Sequence, residues 1–110
     1  MIAVAVIGDP DTAAGFRLAG VNEVYEYSPE GEEDIARVLD KVAKEDVAII
    51  LINERFAAEP RMREKMREIN AKKKSVVPII LEIPDKKGPM EKELDEIGRL
   101  IQRAVGVAIQ

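Results

Sequence analysis

Two carboxylates follow the first apolar run of the chain, at a place where parallel-sheet proteins bind ligands. The run at positions 2–7 reads IAVAVI, and GDPDTAAGFRLAG follows at positions 8–20. Doubly wound sheets bind ligands at the carboxyl ends of their strands, and the carboxylates of Asp9 and Asp11 are oxygen ligands of the kind that Mg²⁺ takes. The same residues suit a capped turn before a short helix over 12–19, with Asp11 or Thr12 as the cap and Gly20 ending the helix in a left-handed conformation. We favour the capped turn and expect no metal or cofactor there.

Nucleotide and nucleophile chemistry lack the residues that they need. No Lys-Ser or Lys-Thr pair follows a glycine at P-loop spacing, and Gly8 and Gly15 alone do not make a dinucleotide fingerprint. The chain has no cysteine and no histidine, so it lacks a thiolate nucleophile and the commonest general base and metal ligand. We therefore predict a protein that is not an enzyme by itself.

A phosphoacceptor site of the receiver type is the closest catalytic alternative. Receiver domains carry an acidic pair after the first strand, an aspartate after the third and a lysine after a fifth. Asp9 and Asp11 imitate the pair, but Asn53 ends the third apolar run and no fifth run exists. A degenerate receiver-like signalling or small-ligand-binding module remains the alternative function.

Charge and hydropathy exclude two further classes of partner. The net charge is −4, from 17 basic and 21 acidic residues, whereas nucleic-acid binders are usually basic. Positions 61–74 carry seven basic and two acidic residues, without the aromatic residues on which bases stack, so we favour a solvated helix face there. Apolar runs are of strand length, well below the roughly 20 residues that span a bilayer. With no basic n-region after Met1, we expect a cytosolic chain without direct membrane insertion.

The elements that must position these residues alternate along the chain. Apolar runs predict strands at 2–7, 24–27, 47–52 and 76–83. The second and the fourth are predicted to be edge strands, the fourth because Pro78 cannot donate to a ladder. Helical spacing predicts helices at 12–19, 32–45, about 60–72 after a short turn near Phe56, and 91–107. The fold class is α/β: a small open parallel sheet of four strands in the order 2-1-3-4, in a receiver-like or Rossmann-like three-layer sandwich. Unbroken apolar strands predict burial of both sheet faces.

The last helix carries more apolar surface than a small sheet requires. We expect an α/β core at 1–83, a Pro/Gly loop at 84–90 and a C-terminal helix at 91–110 in the same domain, which the loop allows to reorient. At helical spacing the apolar arc covers roughly 160°, against about 100° for docking on a sheet. The surplus suits either deep burial within the domain or a partner helix. The stripe consists of Leu94, Ile97, Ile101, Ala104, Val105 and Ala108.

Four segments resemble one family along the whole chain. GDPDTAAGFRLAG at 8–20 resembles the opening motif of the F subunit of the archaeal and vacuolar-type ATPases, close to GDxDTxxGFRLAG, with Pro10 as a departure. IILINERFA at 49–57, PIILEIPDKKGP at 78–89 and IGRLIQRAVGV at 97–107 are similar to later parts of the same family. Four matches in the same order are more specific than any one of them.

The resemblance implies a non-catalytic component of the central stalk of an A-type or V-type ATP synthase. Such a protein binds the coiled-coil D subunit of the stalk, and through it links the catalytic head to the membrane rotor on the cytoplasmic face of the membrane. We expect Phe16, one of four aromatic residues, to be buried. The motif residues, structural or contacting, are Gly8, Asp9, Asp11, Thr12, Gly15, Phe16, Arg17 and Gly20. The candidate contacts to the D subunit are Ile97, Arg99, Leu100, Ile101, Arg103, Ala104 and Val107.

Overall fold

A four-stranded parallel sheet with helices on both faces forms the body of the protein. A computed structural model describes residues 2–84, and the strand order is β2-β1-β3-β4. The predicted α/β class and strand order are confirmed. The elements are β1 (Ile2–Gly8), α1 (Pro10–Leu18), β2 (Glu23–Glu26), α2 (Ile35–Lys44), β3 (Val47–Asn53), α3 (Glu54–Ala57), α4 (Pro60–Lys72) and β4 (Ile79–Ile83).

Several element boundaries differ from the sequence prediction. Helix α1 begins at Pro10, so its cap is Asp9 and not Asp11 or Thr12. Proline suits this first position because its missing N–H has no partner there in any case. Helix α2 begins only at Ile35, where Asp34 caps it by accepting from the Arg37 amide. Strand β4 begins at Ile79 rather than at position 76.

The main core lies between one face of the sheet and the helices α2, α3 and α4. Leu39 and Val42 of α2 and Met62 of α4 are almost wholly buried against Ile50 and Ile52 of β3. Met66 and Ile69 extend this line along α4, so the thin apolar stripe of that helix is sufficient to dock it. This face of the sheet is therefore closed by one continuous apolar cluster.

The other face of the sheet is covered less completely. Helix α1 packs on β1 and β2, and the buried residues Val6 and Ala13 are not part of the main core cluster. On β4, Ile79 and Leu81 keep 37% and 47% of their surface exposed. The prediction that both faces are buried is therefore wrong for β4 within residues 2–84.

Strand β4 forms one edge of the sheet among the described residues, and a lysine folds over the approach to it. Lys73 Nζ donates to the carbonyl oxygens of Val76 at 3.0 Å and Pro78 at 3.2 Å. Pro78 itself is buried and precedes the strand, as expected for a residue that cannot donate to a ladder. The edge position predicted for this strand is confirmed.

Candidate functional site: the first turn and the groove beside α1

The turn after β1 is fixed to the end of β3 by a buried polar network. Asn53 is 1% exposed, and its Oδ1 accepts a hydrogen bond from the Asp9 amide at 2.8 Å. Its Nδ2 donates to Thr12 Oγ1 at 3.3 Å. Asp9 Oδ1 in turn accepts from the Thr12 amide at 2.8 Å, which caps α1. Three residues from two distant segments thus satisfy one another where a ligand would otherwise bind.

Gly8 is required by the tight approach of these side chains. A Cβ at this position would lie 2.9 Å from Asn53 Oδ1 and 2.9 Å from Thr12 Cγ2. Ordinary Cβ contacts are longer, so any larger residue would push the amide or the threonine away. The glycine of the motif therefore protects the network, and its role here is structural.

The arrangement gives little support to a metal or phosphate site. A carboxylate oxygen of Asp9 already caps helix α1. At the end of β3, both the oxygen and the nitrogen of the Asn53 side-chain amide are hydrogen-bonded. Within residues 2–84, no group of three or more His, Cys, Asp or Glu side chains is placed to hold a metal ion. The Mg²⁺ interpretation of Asp9 and Asp11 therefore loses its geometric basis in the part of the chain that is described.

The end of the motif forms a Schellman cap. The amide of Val21 donates to the carbonyl of Phe16 at 3.0 Å, and the amide of Gly20 donates to that of Arg17 at 3.1 Å. Gly20 has φ of 98°, a left-handed conformation that glycine adopts without steric cost. The predicted left-handed end of α1 is confirmed. Arg17 also pairs with Glu26 of β2, Nη1 to Oε1 at 2.7 Å, on the exposed surface.

A groove lies between α1 and the end of β4. It has a volume of about 540 Å³ and is open to solvent. Phe16 lies in the wall of the groove and is only half-buried. The prediction that its ring is buried is therefore wrong as far as residues 2–84 cover it. A Cβ on Gly15 would meet no atom within 4 Å, which leaves space beside the helix. The lining residues are Asp11, Thr12, Gly15, Phe16, Ala19, Ile83 and Pro84.

The basic stretch at 61–74 is partly paired within the chain. Arg61 pairs with Asp34 at 2.8 Å, and Arg63 Nη2 lies 2.6 Å from Glu82 Oε1. The latter contact is an ion pair without the alignment of a hydrogen bond, since Glu82 Oε1 has no hydrogen-bond partner. Lys73 donates to backbone carbonyls beside β4. The solvated-face interpretation is supported, because several of these cations already have partners within the domain.

A cluster of exposed charges joins α2 to α4. Lys44 and Lys65 lie 3.1 and 3.7 Å from the Asp40 carboxylate, and Lys65 lies 3.0 Å from Glu68. The hydrogen bond from Lys44 is the main cause that lowers the pKa of Asp40. The hydrogen bond from Lys65 lowers the pKa of Glu68, and that same bond raises the pKa of Lys65. These pairs are exposed, so they steady the two helices only slightly.

The structure brings the motif residues together but does not test the predicted partner contacts. Residues 8–20 form one turn and one helix beside the groove. The contact candidates Ile97, Arg99, Leu100, Ile101, Arg103, Ala104 and Val107 lie outside the described residues, as do positions 85–90 of the loop. Sequence reasoning missed the bonding role of Asn53 and the wall formed by Ile83 and Pro84. Their only sequence signal is a position at the carboxyl end of a predicted strand.

Comparison with known proteins places this geometry in a family. The model of the family described as "ATP synthase (F/14-kDa) subunit" matches residues 4–101. The chain belongs to this family. The F/14-kDa match covers the turn, the groove-lining segments and most of the last predicted helix, and it confirms the resemblance found in the sequence.

Relatives in the F/14-kDa family match this chain over nearly their own full lengths. The F subunit of the A-type ATP synthase of Methanothermobacter thermautotrophicus is 42% identical over 94% of this chain and 92% of its own. That of Thermococcus kodakarensis is 44% identical over 97% of both chains. A solved structure of the F subunit of the V-type ATP synthase of Archaeoglobus fulgidus is 32% identical, covers 74% of this chain and 95% of its own, and gives a TM-score of 0.57. No helix within residues 2–84 is long and apolar enough to cross a membrane.

Proposed function

We propose that this F/14-kDa family member is a non-catalytic component of the rotating central stalk of an A-type or V-type ATP synthase. It binds the coiled-coil D subunit of the stalk, and through that protein it links the catalytic head to the membrane rotor during ATP synthesis or hydrolysis. It acts as a peripheral protein on the cytoplasmic face of the membrane. The relatives support membership of the synthase, while the stalk position and the partner are the proposal.

The closed turn after β1 is the observation that carries the non-catalytic role. In a doubly wound sheet this turn is the expected ligand site, yet Asn53, Asp9 and Thr12 bond to one another there. The described residues offer no phosphate loop, and the chain has no histidine or cysteine. Calorimetry of the whole chain with ATP and Mg²⁺ should give no stoichiometric heat. A micromolar signal would show a nucleotide site and would refute this part of the proposal.

The last predicted helix is our candidate for the main contact with the D subunit. Its apolar arc exceeds what sheet docking needs, and a coiled coil offers the ridges and grooves that such a helix fills. Leu100 and Val107 lie beside the stripe, and Arg99 and Arg103 share an edge at i,i+4 spacing where acidic residues of a partner can pair with them. The interface is therefore expected to combine an apolar centre with basic flanks.

The test compares two charge reversals in the full chain. Arg99→Glu combined with Arg103→Glu should weaken binding to the D subunit by at least about tenfold, since two interfacial pairs become repulsive. Arg67→Glu is the matched control: Arg67 is exposed on α4 and has no ion pair among residues 2–84. Both proteins should melt as the unmodified chain does. Equal affinity for all three proteins would move the interface away from this helix.

A further inference from the structure

Strand β2 forms the other edge of the sheet, and within residues 2–84 no strand lies along its outer side. It pairs only with β1, in parallel. An edge strand presents free N–H and C=O groups to which a further strand can add. At the opposite edge, Lys73 lies over the approach to β4, whereas β2 begins and ends with Glu23 and Glu26. The two edges therefore differ in the sign of the charge that an incoming strand meets.

The charge beside this edge is negative and only partly compensated. Positions 23–34 carry six acidic residues and no basic residue. Two of the six, Glu26 and Asp34, pair with arginines of α1 and α4. The others form no ion pair with a residue of the described range, and they are Glu23, Glu30, Glu32 and Glu33. Burial is the main cause that raises the pKa of Tyr25, and the carboxylates of Glu45 and Glu23 raise it further. The negative field at β2 thus favours a cationic partner.

Each face of β2 carries one carboxylate and one apolar or aromatic side chain. Glu26 pairs with Arg17 of α1, so Glu26 and Val24, two positions earlier, lie on the α1 face. Tyr25 packs against the main core, and its hydroxyl donates to Glu23 at 3.3 Å, so these two lie on the other face. Directly opposed residues of neighbouring strands share a face. A strand that complements β2 therefore carries a basic residue at each end and two apolar residues between them, whichever way it runs.

We propose that the outer edge of β2 binds, as an added strand, an extended segment of another protein with the pattern basic–apolar–apolar–basic. Main-chain hydrogen bonds to the free edge supply the affinity, and the side chains opposite Glu23 and Glu26 supply the specificity. A second copy of this chain does not fit when it adds through β2, because that strand carries the same two carboxylates. The proposal does not depend on the stalk assignment, since it specifies only the chemistry of the segment.

The first test titrates the unmodified full chain with short synthetic peptides at low salt and follows binding by NMR. The probe is Thr-Lys-Val-Val-Lys-Thr with blocked termini. Thr-Val-Lys-Lys-Val-Thr has the same composition in another order, and Thr-Glu-Val-Val-Glu-Thr has the opposite charge. The probe should bind at least about fivefold more tightly than the reordered peptide, because opposite charges that face each other across strands are favourable. The acidic peptide should bind most weakly, because it sets like charges opposite each other.

Amide hydrogen exchange separates strand addition from attraction between charges alone. An added strand protects the β2 amides that point away from β1, so exchange of these amides should slow about fivefold when the probe is in excess. Exchange in α4 should not change. Binding without protection in β2 would show attraction by charge only, and equal affinity for the probe and the reordered peptide would show that no register exists. Either result would overturn the proposal, and so would the absence of binding at millimolar peptide.

A reversal of charge in the protein supplies the reciprocal test. Glu23→Lys combined with Glu26→Lys should bind the acidic peptide more tightly than the probe. Glu59→Lys combined with Glu64→Lys is the matched control, because it changes the net charge equally at two exposed positions at the start of α4, and it should keep the preference for the probe. An unchanged preference in the β2 variant would refute the proposal. If that variant does not fold, the peptide order and the hydrogen exchange of the unmodified chain still decide.

Discussion

Replacement of Asn53 by alanine should be one of the more destabilising single changes in the described part of the chain. The side chain is 1% exposed and makes two hydrogen bonds, at 2.8 Å to the Asp9 amide and at 3.3 Å to Thr12 Oγ1. Each such bond contributes about 0.5–1.5 kcal/mol net, and a buried donor left without a partner costs about 1–3 kcal/mol. The Asp9 amide becomes that donor, since Asp9 is only 8% exposed.

We therefore expect Asn53→Ala to lower the free energy of unfolding by about 2–4 kcal/mol. In a domain of this size that is a fall in Tm on the order of 10–25 °C. Denaturant titration followed by circular dichroism measures the loss, with Asn70→Ala as the control. Asn70 is exposed on α4, and alanine is the better helix former there, so stability should stay level or rise slightly.

Thr12→Val tests whether the hydrogen-bond network is the cause of the stability loss expected for Asn53→Ala. It removes the hydroxyl that accepts from Asn53 Nδ2 and should cost about 1 kcal/mol alone. The double variant should lose less than the sum of the single changes, because both remove the same bond. A loss below about 1 kcal/mol for Asn53→Ala, or strict additivity in the cycle, would show that the network does not hold the turn.

Three further outcomes follow from the same structure. Gly8→Ala should cost about 1–3 kcal/mol in urea titration, because its Cβ would sit 2.9 Å from the amide oxygen at the end of β3. The hydrogen bond from Lys44 lowers the pKa of Asp40 in the folded protein. The ionised carboxylate therefore stabilises the fold fully above pH 3.8, the ordinary pKa of the group, and this contribution is lost as the pH falls through the lower pKa of the folded state. Asp40→Asn should thus melt below the unmodified chain at pH 6, with a difference that narrows toward pH 2, and a constant difference would contradict it. Burial, followed by neighbouring carboxylates, raises the pKa of Tyr25, so titration of Tyr27→Phe at 295 nm should give a midpoint above 10.0, and a lower midpoint would refute the burial.

The strand order could be predicted from the sequence because the order depends on the pattern of elements along the whole chain. Apolar runs alternating with helical spacing, with right-handed crossovers, leave few topologies. Gly20 predicted the left-handed end of α1 for a local steric reason. The cap was harder, since Asp9, Asp11 and Thr12 are all good capping residues and the proline between them decides.

The candidate site depends on contacts that local patterns do not encode. Asn53 reaches residues 41 and 44 positions earlier in the chain, and its apolar strand gives no hint of where the amide points. Likewise, VVPIILEI at 76–83 has the composition of a strand buried on both faces, but Leu81 is 47% exposed in the described structure. Burial there depends on which helix covers the strand, and composition reports only that the strand can be covered.

The lysine that folds over the approach to β4 has a consequence for self-association. An apolar edge strand such as Ile79–Ile83 is a template onto which a strand of another molecule can add. Lys73 Nζ donates to the carbonyls of Val76 and Pro78, and Glu82 of the strand forms an ion pair with Arg63 of α4. An incoming strand would have to displace the ammonium group and lie against that pair. The sheet thus carries gatekeeper charges at its vulnerable edge, which disfavours the growth of fibrils by strand addition before the protein is assembled with its partners.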